Sequence, residues 1–220
     1  MTDSIAHLSA HHGDFKNFAQ KMIDTHHGRF NDVFWSFLEQ HTDISEAKAA
    51  HIVDLGTGPG GFLRDVTKRY ETTSATGVEV QPEMIKLARD LVNEDSSRRT
   101  LVEACVSEPP LPLEDECADV VLASVLLHEI PVPTLLLDET LRILKPGGHF
   151  ILLDWVCQPL SSYAKGVRPE TLDAFTHFSE HCRYTAQDLE WLLEQSGFVV
   201  EDWMLRNKGR FLLLSAQKPL

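Results

Sequence analysis

The sequence predicts an α/β fold: a doubly wound, mostly parallel sheet with helices on both faces. Three observations carry this. Between His51 and Trp155, short apolar stretches alternate with amphipathic ones, as expected of strands buried on both faces by crossover helices. The first stretch runs into Ile52–Gly61, IVDLGTGPGG, which packs four glycines into six residues before a helical pattern resumes. Near the C-terminus two apolar stretches are joined by only Arg206-Asn207-Lys208-Gly209-Arg210, a hairpin that pairs them antiparallel.

The elements follow in order. Asp14 can cap a helix carrying Phe15, Phe18, Ala19, Met22 and Ile23 at i, i+3, i+4 spacing. Thr25–Arg29 is expected to break it. A second amphipathic helix has Phe30, Val33, Phe34, Phe37 and Leu38 on one face. These two helices read as a cap over residues 1–45, a lid removable without unfolding the sheet. The main domain is expected over 46–220. Its strands are predicted at His51–Leu55, Ala75–Val80, Leu101–Val106, Asp119–Ser124 and His149–Trp155. The helices between them are Gly61–Tyr70, Pro82–Asn93 and about Thr134–Leu144, with Pro82 suited to a first helical position. Residues 156–184 break the pattern, and a loop so long in a compact domain is usually functional. Thr185 and Asp188 form a capping-box pattern, Gly197 closes that helix, and strands Phe198–Leu205 and Phe211–Gln217 end the chain.

Composition narrows the partners. The formal charge of the 220 residues is −13, with no basic run longer than Arg98-Arg99. Nucleic acid needs a basic footprint and an anionic membrane surface a polybasic segment, so neither is expected as a partner. No stretch is apolar for long enough to span a bilayer. The four cysteines show no C-x-x-C spacing and are expected as reduced thiols in a cytoplasmic protein. Adjacent histidines such as His26-His27 do not share a helix face, and no metal site is expected.

The glycine loop carries the chemistry. Glycine adopts backbone angles forbidden to other residues and admits a ligand close to the main chain. The helix opening behind it offers free N–H groups to an anion. Gly56, Gly58 and Gly61 satisfy G-x-G-x-x-G, a weak signal alone. Glu79 ends the second strand 21 residues after Gly58, where an acid can accept hydrogen bonds from both hydroxyls of a ribose. Asp54, Glu79, Ser107, Ser124, His128 and Asp154 fall at or past strand ends, where ligands of doubly wound sheets bind.

The chain resembles the class I S-adenosylmethionine-dependent methyltransferases over about residues 48–218. VDLGTGPGG is similar to their first motif, and GVEVQPEMIKLAR to the second strand and its helix. LPLEDECADVVLASVLLHEI is similar to the region of the fourth strand, LRILKPGGHFILLDW to the passage into the fifth, and YTAQDLEWLLEQSGF to the closing section. The resemblance implies a Rossmann-like sheet of seven strands with the last antiparallel, and S-adenosyl-L-methionine as cofactor. It implies that Asp54 takes the methionine amino group beside the backbone of Gly56, Thr57, Gly58 and Gly60. Glu79 would hold the ribose, Val80 would pack on adenine, and Ser124 would lie near the methionine end. At the position where the family often has an acid reaching the adenine amino group stands Ser107, with Glu108 beside it, and either could make that contact.

A sulfonium methyl is already activated, so the protein has to align a nucleophile and exclude water. An oxygen or nitrogen nucleophile of a small molecule can also need a proton removed. His128 and Asp154 are the catalytic candidates. His27, Trp35, Trp155, His177, His181 and Tyr184 are candidates for the acceptor pocket. A nicotinamide oxidoreductase shares the glycine loop and the strand-end acid, but leaves Asp54 and the hairpin without a role, and no Tyr-x-x-x-Lys pair is present. A non-catalytic S-adenosylmethionine-binding partner protein is the third reading, excluded only by turnover.

Overall fold

The computed structural model describes residues 15–45, 48–163 and 183–220, with residues 168, 170, 171, 175, 178 and 179 between them. Helices α1 (Phe15–Asp24), α2 (His26–Arg29) and α3 (Asp32–His41) precede β1 (His51–Leu55). Then come α4 (Gly61–Arg69), β2 (Ser74–Glu79), α5 (Pro82–Asn93), β3 (Arg99–Glu103), β4 (Ala118–Ser124), α6 (Pro133–Ile143) and β5 (Leu144–Trp155). The chain continues with α7 (Leu160–Tyr163), α8 (Ala186–Gln195), β6 (Val199–Arg206) and β7 (Phe211–Gln217). The sheet order is β3-β2-β1-β4-β5-β7-β6, with only β7 antiparallel to its neighbours. Chain order reverses between β1 and β4, and there the strand ends open a crevice.

Side-chain alternation along the strands builds two apolar layers. Ile52, Leu122, Ile151 and Leu153 face α3 and α4, against Phe34, Leu38, Phe62 and Leu63. Val53, Leu55, Val121, Phe150 and Leu152 face α6 and α8, against Leu136, Leu137, Leu189 and Leu193. The capping box at Thr185 forms as its residues predict: the Thr185 hydroxyl accepts from the Asp188 amide, and the Asp188 carboxylate accepts from the Thr185 amide.

Most elements shift by a residue or so, and three differences matter more. The expected break at Thr25–Arg29 contains the short α2. β3 ends at Glu103, in register with Glu79, so residues 104–106 leave the sheet towards the crevice. β5 begins at Leu144 because Ala118 pairs with Leu144 before a register shift, and Gly147 accommodates the irregularity at φ +76°. Among the described residues no helix is long and apolar enough to cross a membrane.

Candidate active site

The loop after β1 is held from two sides. The Thr57 amide donates to Val78 O at 3.0 Å and its hydroxyl to Asp54 Oδ2 at 2.6 Å. The methyl of Thr57 lies where a Cβ on Gly77 would come within 2.7 Å, so Gly77 in β2 lets the loop settle against the sheet. Sequence reading missed Gly77, since an isolated glycine in a strand is the only signal. Glu79 closes the loop: Oε2 accepts from the Gly58 amide at 2.9 Å, and Oε1 from the Val80 and Gln81 amides at 2.8 and 2.9 Å. A carboxylate offers about four acceptor positions, so capacity for a ligand hydroxyl remains. Gly58, at φ +56°, faces open space, with no atom within 4 Å of where a Cβ would stand. Burial pushes the Asp54 carboxyl up to about 7; the Thr57 hydroxyl opposes the rise, the Glu79 charge adds to it and the Arg29 charge opposes it.

At the end of β4 the chain turns sharply. Val125 has φ +57°, an uncommon and costly conformation for a β-branched residue. The turn lays Leu126 over Gly56, where a Cβ would meet its side chain at 2.8 Å. It also brings His128 onto Asp154: Nδ1 stands 2.6 Å from Oδ1, and the His128 amide donates to Oδ2 at 3.2 Å. On the other side of the ring, Nε2 lies 3.3 Å from Glu129 Oε1. Burial alone would lower the His128 pKa, but the Asp154 and Glu129 carboxylates outweigh it and hold the imidazole at about 9. The two carboxylates therefore favour the protonated ring of His128. From the following segment, Arg183 Nη1 donates to His128 O at 2.7 Å and fixes the same turn.

Loop and turn open into one cavity of about 1070 Å³. Gly56, Gly58, Glu79, Val80, Ser107, Ser124, His128 and Trp155 all line it. Glu108 is exposed and lies outside, which leaves Ser107 at the wall. Asp54 and Thr57 sit just behind the loop, Gly60 turns away against Ala88, and Asp154 is 1% exposed behind His128. Asp154 bonds both the ring and the amide of His128 from behind it. Two acceptor-pocket candidates lie away from this cavity. Trp35 is buried in the core, stacked 5.8 Å from Phe62 and donating to Phe30 O at 2.9 Å. His27 is exposed outside the cavity. Tyr184 packs on the core below α8, beneath Arg183. His177 and His181 lie outside the described residues.

The remaining wall was only partly legible in sequence. Phe18, Lys21, Met22 and Arg29 come from α1 and α2, and Met204, Leu205, Arg206 and Phe211 from the closing hairpin. Hairpin and cap are clasped together: Arg206 Nη1 donates to Arg29 O at 2.9 Å and Nη2 to Asn31 Oδ1 at 2.6 Å. His26 joins the cap to α4, its Nε2 being 2.6 Å from Asp65 Oδ2. Three buried polar atoms of the wall residues have no partner among the described residues: Arg29 Nε, Gln81 Nε2 and Ser124 Oγ. Buried polar groups rarely go unpaired, so a polar ligand is what this wall fits.

Fold and site together define a domain that binds a nucleoside-bearing cofactor at the switch point of a doubly wound sheet. Residues 53–152 match a protein family described as a methyltransferase domain. The chain is similar to S-adenosylmethionine-dependent methyltransferases, and the cofactor this similarity supports is S-adenosylmethionine. The residues present fit that group: an open glycine loop, a strand-end acid and unpaired donors around one cavity. The chain is 28% identical over 175 residues to a 2-methyl-6-phytyl-1,4-hydroquinone methyltransferase of Synechocystis, covering 76% of this chain and 51% of that protein. It is 22% identical to a norajmaline N-methyltransferase of Rauvolfia serpentina, covering 78% and 61%. A methyltransferase structure from Aquifex aeolicus superposes with a TM-score of 0.71 at 20% identity, covering 93% of this chain and 98% of that one. The chain spans about half the length of the first curated relatives it matches.

Proposed function

We propose that the protein catalyses methyl transfer from S-adenosylmethionine to an oxygen or nitrogen nucleophile of a small, largely apolar molecule. The observation that carries this is a single cavity walled on one side by the glycine loop and Glu79, and on the other by Met22, Trp155, Met204, Leu205 and Phe211. Trp155 and Phe211 stand 4.1 Å apart, ring centre to ring centre and tilted by 34°, as an apolar wall. The relatives are named for a hydroquinone and for norajmaline, which supports an organic small molecule without choosing among them.

Gly56, Gly58, Glu79, Val80, Ser107 and Ser124 would hold the cofactor, with Asp54 and Thr57 supporting the loop from behind. When bound, S-adenosylmethionine supplies a methyl group activated by a sulfonium centre. His128 is held between Asp154 and Glu129, so it would orient the acceptor only by turning its Nε2 donor from Glu129 to the acceptor. The favoured acceptor then needs no proton removed by His128: a neutral amine, or an oxygen that reaches the site ionised. Alignment and water exclusion supply the rest.

The test incubates the protein with S-adenosylmethionine and a panel of phenols, quinols and amines, and follows S-adenosylhomocysteine by mass spectrometry. Acceptor-dependent product one methyl group heavier is the expected result. Tight cofactor binding with no product from any acceptor class would favour a non-catalytic binding protein.

A further inference from the structure

We propose that Arg29, in the helical cap, is the anchor for the carboxylate of the cofactor's methionine moiety. The inference rests on the reading of the cavity as the S-adenosylmethionine site and adds a binding residue from outside the glycine loop. The guanidinium lines the cavity. Nη1 and Nη2 donate to Met22 Sδ at 3.0 Å and Met22 O at 2.9 Å, both uncharged acceptors. Nε is buried without a partner, and Arg29 has no ion pair among the described residues. A mostly buried cation with a free donor and no counter-ion is costly unless something anionic arrives. Burial accordingly lowers its pKa to about 10, against the raising field of Asp54.

That mutual field fixes where the anion belongs. Asp54 and Arg29 sense each other's charge yet make no ion pair. Asp54 is the group expected to take the methionine ammonium. An α-amino acid carries ammonium and carboxylate on one carbon, so a cation set across from Asp54 matches the second charge. The position of Arg29 is itself enforced, because Arg206 holds its carbonyl and the neighbouring Asn31 side chain. Charge-assisted hydrogen bonds of guanidinium to carboxylate are among the stronger ones.

The test compares S-adenosylhomocysteine with 5′-methylthioadenosine, which lacks the amino-acid group, by calorimetry on the wild type, Arg29→Gln and Arg29→Lys. The wild type should prefer S-adenosylhomocysteine. Arg29→Gln should narrow that preference by about tenfold or more, leaving 5′-methylthioadenosine unchanged, and Arg29→Lys should keep most of it. An unchanged preference in Arg29→Gln overturns the assignment, as does parallel loss of both ligands in both variants. A wild type that binds neither ligand overturns the cofactor reading, and this inference with it.

Discussion

Two buried ionisable residues set how the site responds to pH. Asp54 titrates at about 7 because it is desolvated. As its folded pKa lies above the free value of about 3.9, ionising it costs stability that grows from pH 4 upward and is complete above 7. A ligand ammonium favours the ionised form. S-adenosylhomocysteine affinity should therefore strengthen as pH rises from 6 to 8, by up to about tenfold per unit below 7. Calorimetry at both pH values checks this, and Asp54→Asn should flatten the dependence. His128 behaves oppositely. Its folded pKa of about 9 lies above the free value of about 6.5. Its stabilisation, on the order of a few kcal/mol, is complete below pH 6.5 and is lost as pH rises through 9. Thermal melts should show the midpoint falling across that window in the wild type and much less in His128→Gln. If the imidazolium orients the acceptor, kcat should also fall above about pH 9, with no limb near 6.5.

At the scale of elements, the cap and the closing hairpin form one wall through a few polar ties. Arg206→Ala removes the donors to Arg29 O and Asn31 Oδ1. It should raise the KM for cofactor several-fold and speed hydrogen exchange across α2, while the midpoint of global unfolding moves little. An unchanged KM would mean that the cap holds its place without the clasp. Gly61 opens α4 directly beneath the His26 ring, and a Cβ there would lie 2.8 Å from His26 Nδ1. Gly61→Ala should push the ring off, strain the His26–Asp65 contact and cost about 1–3 kcal/mol, read as a lowered unfolding midpoint. Sequence alone could not foresee this. The glycine reads as part of the loop motif, whereas its constraint comes from a histidine 35 positions earlier that only the folded chain brings near.

Over the whole molecule, the sheet was the most legible part because its signals are local. β1, α5 and β7 fall at their expected bounds, and the antiparallel last strand follows from a five-residue connection. Val80, Ser107 and Ser124 were legible for the same reason, since position after a strand fixes where a residue emerges. Trp35 and His27 were not placed by the sequence, because an aromatic stripe does not say which face meets the sheet and which meets the cavity. Met204 and Arg206 were missed because they sit in a strand that reads as ordinary. The cap also proves less separable than a lid. Phe34 and Leu38 are at most 1% exposed and cover Ile52 and Leu122. Deleting residues 1–40 should therefore destabilise the sheet severely, by several kcal/mol for the lost large side chains. Denaturant unfolding of the truncated chain checks this, and a cooperative transition with an unchanged midpoint would restore the lid picture.

The clasp between Arg206 and the cap also has a temporal side. The ribosome makes residues 18–33 well before residues 204–211, yet both stretches wall the same cavity. A growing chain released as far as β5 has its glycine loop and Glu79 but lacks the opposing wall and the grip on Arg29. Ligand cannot add its binding energy to early folding steps, so the sheet has to reach stability unaided. A translation product cut short before β6 would be recognised by its failure to be rescued by cofactor, at any concentration supplied.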